Sequence, residues 1–262
     1  LRRPLQIGFI GLENYMDALQ DDLFWKSLIK TIFWVVFGVG FQFFFGFVLA
    51  LLLNQSFRGR GFVRAISLIP WVTPGVLIGL MWRWMYDGNY GVINDILSKL
   101  NLIDANVPFL SSPDSAFASV IVTIIWQGIP FFALMILAGL QGIPAELYES
   151  ARVDGANAVV TFFKITLPYM LFVTMPYLIT QFTGNVNNFN VIFLLSGGNP
   201  TPVGSTAGKT DLLVTWLYKL TIDRADFNLG AVIGILTFIV LATVSLITYR
   251  NTASYKDEGA FQ

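Results

Sequence analysis

The chain has 262 residues, 55% of them hydrophobic, 15% aromatic and only 12% charged. A soluble surface carries about twice that charge, so the composition argues against a soluble protein, and 16 basic against 16 acidic side chains leave no basic field for nucleic acid. There is no cysteine and no histidine, which removes disulfides, thiolate nucleophiles, Cys/His metal sites and histidine acid–base chemistry.

A bilayer core is crossed by about 20 predominantly apolar residues in a helix. Five stretches qualify, at about 31–53, 65–85, 115–140, 167–195 and 228–250. Their continuous apolar runs point to an all-α, polytopic transmembrane helical bundle, because barrel strands alternate over segments of about ten residues. The first thirty residues form an expected external segment without a cleavable signal, since no adequate apolar run follows Arg2 and Arg3. A start on the outside with no signal leads to the expectation that an N-terminal span is missing from this chain.

After the first span, the link NQSFRGRGFVR (54–64) carries Arg58, Arg60 and Arg64 and no acid, which marks it as cytoplasmic. Alternation then puts 86–114 outside, 141–166 inside, 196–227 outside and the tail 251–262 inside. In the second span, Pro70, Pro74 and Gly75 permit bending. In the third, WQGIPFF (126–132) sets an amide, a glycine and aromatic rings around a proline kink.

The internal stretch QGIPAELYESARVDGANAVVTFFKITLP (141–168) is punctuated as helix, break, helix. Pro144 suits the first helical position, Glu146 the first turn, and Gly155 a left-handed stop after Asp154. The first helix is about ten residues, roughly 15 Å long; Asn157 can start the second. Ala145, Tyr148 and Ala151 fall at helical spacing with Glu149 and Arg152 beside them, a compact knob with small apolar contacts and directional charge. A solvated loop helix accounts for the same charges and caps.

In the fourth span, GNVNNFN (184–190) brings four asparagines to membrane depth or near it. Polar groups there face a cavity or another helix, and glycine with clustered asparagine suggests a broken helix lining a pocket. Neutral amides flanked by Phe182 and Phe189 suit a neutral polyhydroxylated ligand; interhelical hydrogen bonding is the other reading. None of the five spans contains Asp or Glu, which argues against an ion-coupled carrier. GSTAGKT (204–210) lacks the spacing of a phosphate-binding loop, so this chain is expected neither to hydrolyse ATP nor to have catalytic residues. The acids are scattered singly, which disfavours a membrane-embedded transferase.

ESARVDGA (149–156), with nine residues between Gly155 and the closing Ile165, Leu167 and Pro168, resembles the EAA loop of the membrane subunits of binding-protein-dependent ABC importers. FIGLENYMDAL (9–19), the NxNNF-like tract and TDLLVTWLYKL (210–220) are similar to the maltose/maltodextrin type of permease subunit. The resemblance implies a type I importer permease fold in the cell membrane. It implies a coupling helix that docks on a cytoplasmic ATPase through Ala145, Tyr148, Glu149, Ala151, Arg152, Asp154 and Gly155. The sugar contacts it implies are Gly128, Phe131, Gln181, Gly184, Asn185 and Asn188, with Gln127 adjacent; Gln181 and Gly184 depart from that subunit's side chains. Its implied partners are a second related permease subunit, two ATPase subunits that bind ATP and Mg, and an external sugar-binding protein. This chain itself would hold no cofactor and no metal. The implied cargo is maltose, maltodextrin or a similar α-glucoside, with trehalose, raffinose-type sugars, glycerol phosphate, amino acids and polyamines as alternatives.

Overall fold

The structure, a computed structural model, describes residues 10–250. The expected internal tail 251–262 and the arginines at 2 and 3 lie outside the described residues. Among those residues every regular element is helical.

After the short α1 (Glu13–Gln20), Asp21 caps α2 (Asp22–Asn54) by accepting a 2.8 Å hydrogen bond from the Leu23 amide. At 33 residues, α2 runs about 50 Å, well beyond the first apolar stretch at its start. It packs along α7 (Ala116–Gln141) in the main helix–helix contact of the bundle. In lipid, close backbone approach drives such contacts more than apolar burial does. Gly46 shows the approach here: a Cβ at that position would lie 3.1 Å from the Ala133 nitrogen and the Ile129 oxygen. The opposite face of α2 carries Phe33, Phe37, Phe41 and Phe45 as a ladder of stacked rings, all half-exposed.

The second expected span is not one straight helix. Helices α3 (Arg60–Ser67) and α4 (Ile69–Val72) meet α5 (Gly75–Met85) at 92°. The cause is local. Pro74 disfavours helical geometry for the residue before it, and Thr73 is extended at φ −72°, ψ 127°. Pro70 causes no break because it falls in the first turn of α4. Among the described residues four helices are long and apolar enough to cross a membrane, or five if the bent pair counts as one span.

The link 86–115, with α6 (Val92–Lys99), is tied by Asn94, which donates to the Asp87 and Val107 carbonyls at 3.1 and 3.0 Å and accepts from the Val107 amide at 2.9 Å. Beyond α7, Pro144 caps α8 (Ala145–Val153) from outside the helix, one residue earlier than its expected helical position. Gly155 sits at φ +76°, the left-handed stop its sequence position called for. Asn157 then caps α9 (Ala158–Thr161), accepting from the Val160 amide at 2.9 Å.

Helix α9 runs through a π turn (Phe162–Thr166) into α10 (Leu167–Val186) without interruption. The asparagine-rich tract is therefore less broken than expected: Gly184 and Asn185 are helical, and only 187–189 separate α10 from α11 (Asn190–Ser196). Asn185 does not compete with the helix, because its side chain bonds back to Gln181 four residues earlier. α11 packs on α5.

The following segment is stapled at its end. Fully buried Asp211 accepts from Lys219 at 2.8 Å and from the Gly208 amide at 2.6 Å, while Lys30 of α2 donates to the Gly208 carbonyl at 2.7 Å. After α12 (Leu213–Tyr218) and a second π turn (Lys219–Asp223), α13 (Phe227–Arg250) closes the described chain.

Candidate functional site

All seven residues expected to contact the cargo line one cavity of about 240 Å³, together with Gln42, Trp71, Ile124 and Tyr177. Helix α7 contributes Gln127, Gly128 and Phe131, spaced so that they share a face. Helix α10 contributes Tyr177, Gln181, Gly184 and Asn185 at the same kind of spacing, and Asn188 follows from the break.

One wall is aromatic. The Phe131 ring centroid lies 4.9 Å from that of Trp71 and 4.7 Å from that of Tyr177, a row of three rings reaching from α4 to α10. The bend at Thr73–Pro74 sits directly after Trp71 and thus shapes this wall.

The other side is built of carboxamides. Gln42, 2% exposed, donates from Nε2 to the Ile124 carbonyl at 2.7 Å. It is admitted only because residue 128 is glycine: a Cβ there would overlap the Gln42 carboxamide. Asn185 donates from Nδ2 to the Gln181 carbonyl at 2.9 Å and to its side-chain oxygen at 3.3 Å, and the Asn185 carbonyl accepts from the Trp34 indole at 3.0 Å. Asn185 thus orients Gln181 as well as lining the cavity. The oxygens of Gln42 and Gln127 are buried without a donor among the described residues. A buried acceptor left in that state costs about 1–3 kcal/mol, which a hydroxyl donor would relieve. At Gly184, by contrast, a Cβ would meet nothing within 4 Å, so this glycine leaves room rather than making a tight contact. Among the described residues no Asp, Glu, Lys or Arg lines the cavity.

Sequence reasoning missed Gln42, Trp71 and Tyr177. A signal existed for Gln42, a lone amide inside the apolar run GFQFFFG (40–46). None existed for Trp71 and Tyr177, which are aromatic residues among many.

At the other end of α7 and α10, the short α8 presents Ala145, Glu149, Arg152, Asp154 and Gly155 to the exterior of the chain. Tyr148 and Ala151 depart from the expected outward contact. Ala151 is 8% exposed, and Tyr148 is half-buried with its hydroxyl 3.1 Å from that of Thr166 in the π turn. Spaced three apart, they form the stripe by which α8 rests on its own bundle. The apolar residues turned outward are instead Leu147 and Val153.

Among the described residues no group of three or more Asp or Glu side chains could hold a metal ion.

Residues 42–254 match the family described as binding-protein-dependent transport system inner membrane component. The chain is 35% identical over 259 residues to the galactooligosaccharides transport system permease protein of Bacillus subtilis, covering 96% of this chain and 61% of that one. It is 36% identical over 239 residues to the trehalose/maltose transport system permease protein of Thermococcus litoralis, covering 91% of this chain and 78% of that one. A solved bacterial ABC transporter involved in import of the acidic polysaccharide alginate superposes with a TM-score of 0.76 at 25% identity, covering 94% of this chain and 84% of its counterpart. The family match spans most of the chain and all of the cavity-lining residues, and the chain belongs to the inner membrane components of binding-protein-dependent transport systems.

Proposed function

We propose that this chain is the membrane-spanning permease subunit of an ATP-driven importer for a neutral sugar, with maltose, maltodextrin or a similar α-glucoside as the cargo. The observation that carries this reading is the charge-free cavity walled by five carboxamides and three aromatic rings. Carboxamides both donate to and accept from hydroxyls, and ring faces stack on sugar carbons. An anionic cargo such as glycerol phosphate or an acidic polysaccharide needs cationic partners, which the lining lacks. The relatives' names are in keeping with a carbohydrate, galactooligosaccharides in one and trehalose or maltose in another. At about 240 Å³, below the roughly 300–1,000 Å³ of pockets for drug-sized ligands, the cavity holds a small part of an oligosaccharide at a time.

The arginines at 58, 60 and 64 put α8 on the cytoplasmic side by the positive-inside rule. There α8 is the coupling helix, docking on an ATPase subunit through Glu149, Arg152, Leu147 and Val153, with Ala145, Asp154 and Gly155 at its ends. ATP and Mg are held by two such ATPase subunits; a second related permease and an external sugar-binding protein complete the assembly. Displacement of α8 reaches the cavity by two routes. Residues 142–144 join it to α7, which carries Gln127, Gly128 and Phe131. The Tyr148–Thr166 contact joins it to the helix that carries Tyr177, Gln181, Gly184 and Asn185. Alternating access then consists of the two wall helices moving around the sugar.

The test is reconstitution with the co-encoded partner proteins and measurement of cargo-stimulated ATP hydrolysis. Stimulation by maltose or maltodextrin with the cognate binding protein supports the reading. Stimulation by a charged cargo alone would overturn it.

A further inference from the structure

A second and larger cavity, of about 650 Å³, lies between the end of α5, the link 86–111 and the segment after α11. Helix α11 links it to the first: α11 begins two residues after Asn188 of the inner cavity and ends at Ser196 of this one. Seven residues of helix separate the two by on the order of 10 Å.

Its walls are fixed. Tyr86 is buried and donates from its hydroxyl to the Ser119 carbonyl at 3.0 Å. Asp87 is held by the amides of Asn89 and Tyr90 at 2.8 and 3.2 Å, and the Asn89 amide is the main reason its carboxylate stays below the usual range. Asn94 ties the Asp87 and Val107 backbones together. The polar heads on this frame are largely open. Arg83, four residues before Asp87, forms no ion pair with any described residue, and Asn89 and Asn106 are exposed.

A concave site of this size lies within the range of small-molecule pockets. Its guanidinium, carboxylate and carboxamides supply donors and acceptors for vicinal hydroxyls. A seat for a protein loop centres instead on buried aromatic and arginine hot spots in a desolvated patch, and the one aromatic ring among the described lining residues, Tyr86, is already buried in the chain's own core.

We propose that this outer cavity is a second carbohydrate subsite, which takes a neutral oligosaccharide at the external mouth before it reaches the inner cavity. The proposal rests on the transport reading above for its orientation and its cargo class. It makes Arg83, Asp87, Asn89 and Asn106 the contacts.

The test is equilibrium dialysis of labelled maltotriose at millimolar concentration against the intact complex in nanodiscs, without nucleotide or binding protein. Arg83→Ala with Asn106→Ala removes one bound sugar per complex. Gln181→Ala with Asn188→Ala removes a different one, and the four changes together remove two. If the outer pair leaves the count unchanged while the inner pair lowers it, the outer subsite is refuted and the transport reading stands. If the outer pair lowers it and the inner pair does not, the outer subsite stands and the inner reading falls. In a parallel pull-down with the binding protein, weakened docking by the outer pair together with an unchanged sugar count assigns the cavity to a polypeptide loop and also overturns the proposal.

Discussion

The Gln42 carboxamide fills the space that a side chain at residue 128 would need, so these two positions on α2 and α7 are sterically one unit. Gly128→Ala displaces Gln42 from the Ile124 carbonyl and overpacks the helix crossing. The expected destabilisation is about 1–3 kcal/mol, read as a lowered unfolding temperature of the purified complex. Gln42→Ala on the Gly128→Ala background relieves the overlap and recovers part of the loss. Strict additivity of the two changes would show that they do not compete for one space.

Asn188 and Gln181 line the cavity from the end of α10. Asn188→Ala removes about one hydrogen bond to the sugar, worth on the order of 1 kcal/mol, so uptake falls about fivefold while assembly and unstimulated ATP hydrolysis stay unchanged. Gln181→Ala has a larger effect because Asn185 also loses its side-chain partner. Normal uptake in both variants would reduce these amides to helix packing.

On the coupling-helix reading proposed above, the two faces of α8 separate docking from transmission. Glu149→Lys reverses a charge on the outward face and weakens association with the ATPase subunit, measured by pull-down from membranes. Tyr148→Phe keeps that face and deletes only the bond to Thr166. Here the ATPase subunit remains bound and sugar stimulation falls several-fold. Loss of association in Tyr148→Phe would mean that this residue touches the partner after all.

Asp211 is fully buried and paired with Lys219, which is 15% exposed. Removing one member of such a pair strands the other charge, at about 3–5 kcal/mol. Asp211→Ala is therefore expected to lower the yield of folded protein sharply, and Asp211→Ala with Lys219→Met to lower it less. Equal yields of the two variants would contradict the pairing.

The spans were legible because lipid forces long apolar runs, and the knob because Pro144, Asn157 and Gly155 punctuate it. Six of the seven expected residues lie in the WQGIPFF and GNVNNFN tracts, whose amides, glycines and rings are conspicuous at membrane depth, whereas Gln181 came from the family resemblance alone. The right-angle bend was only half legible. Pro74 and Gly75 permit one, but its direction depends on Trp71 finding Phe131 and Tyr177 across the bundle. The orientation of α8 was hidden for a related reason. Small and aromatic residues spaced by three suit a partner's groove and the chain's own bundle equally well, and the Thr166 hydroxyl eighteen residues later decides between them.

The lack of any charged side chain around the inner cavity also bears on energetics. Membrane voltage does work only on charge, about 2.3 kcal/mol per elementary charge for each 100 mV. A neutral guest in a neutral chamber feels none of it, so the electrical state of the cell neither helps nor hinders its passage. On the importer reading proposed above, the ATPase subunit supplies the energy for uphill accumulation, and uptake is expected to continue when the proton and sodium gradients collapse.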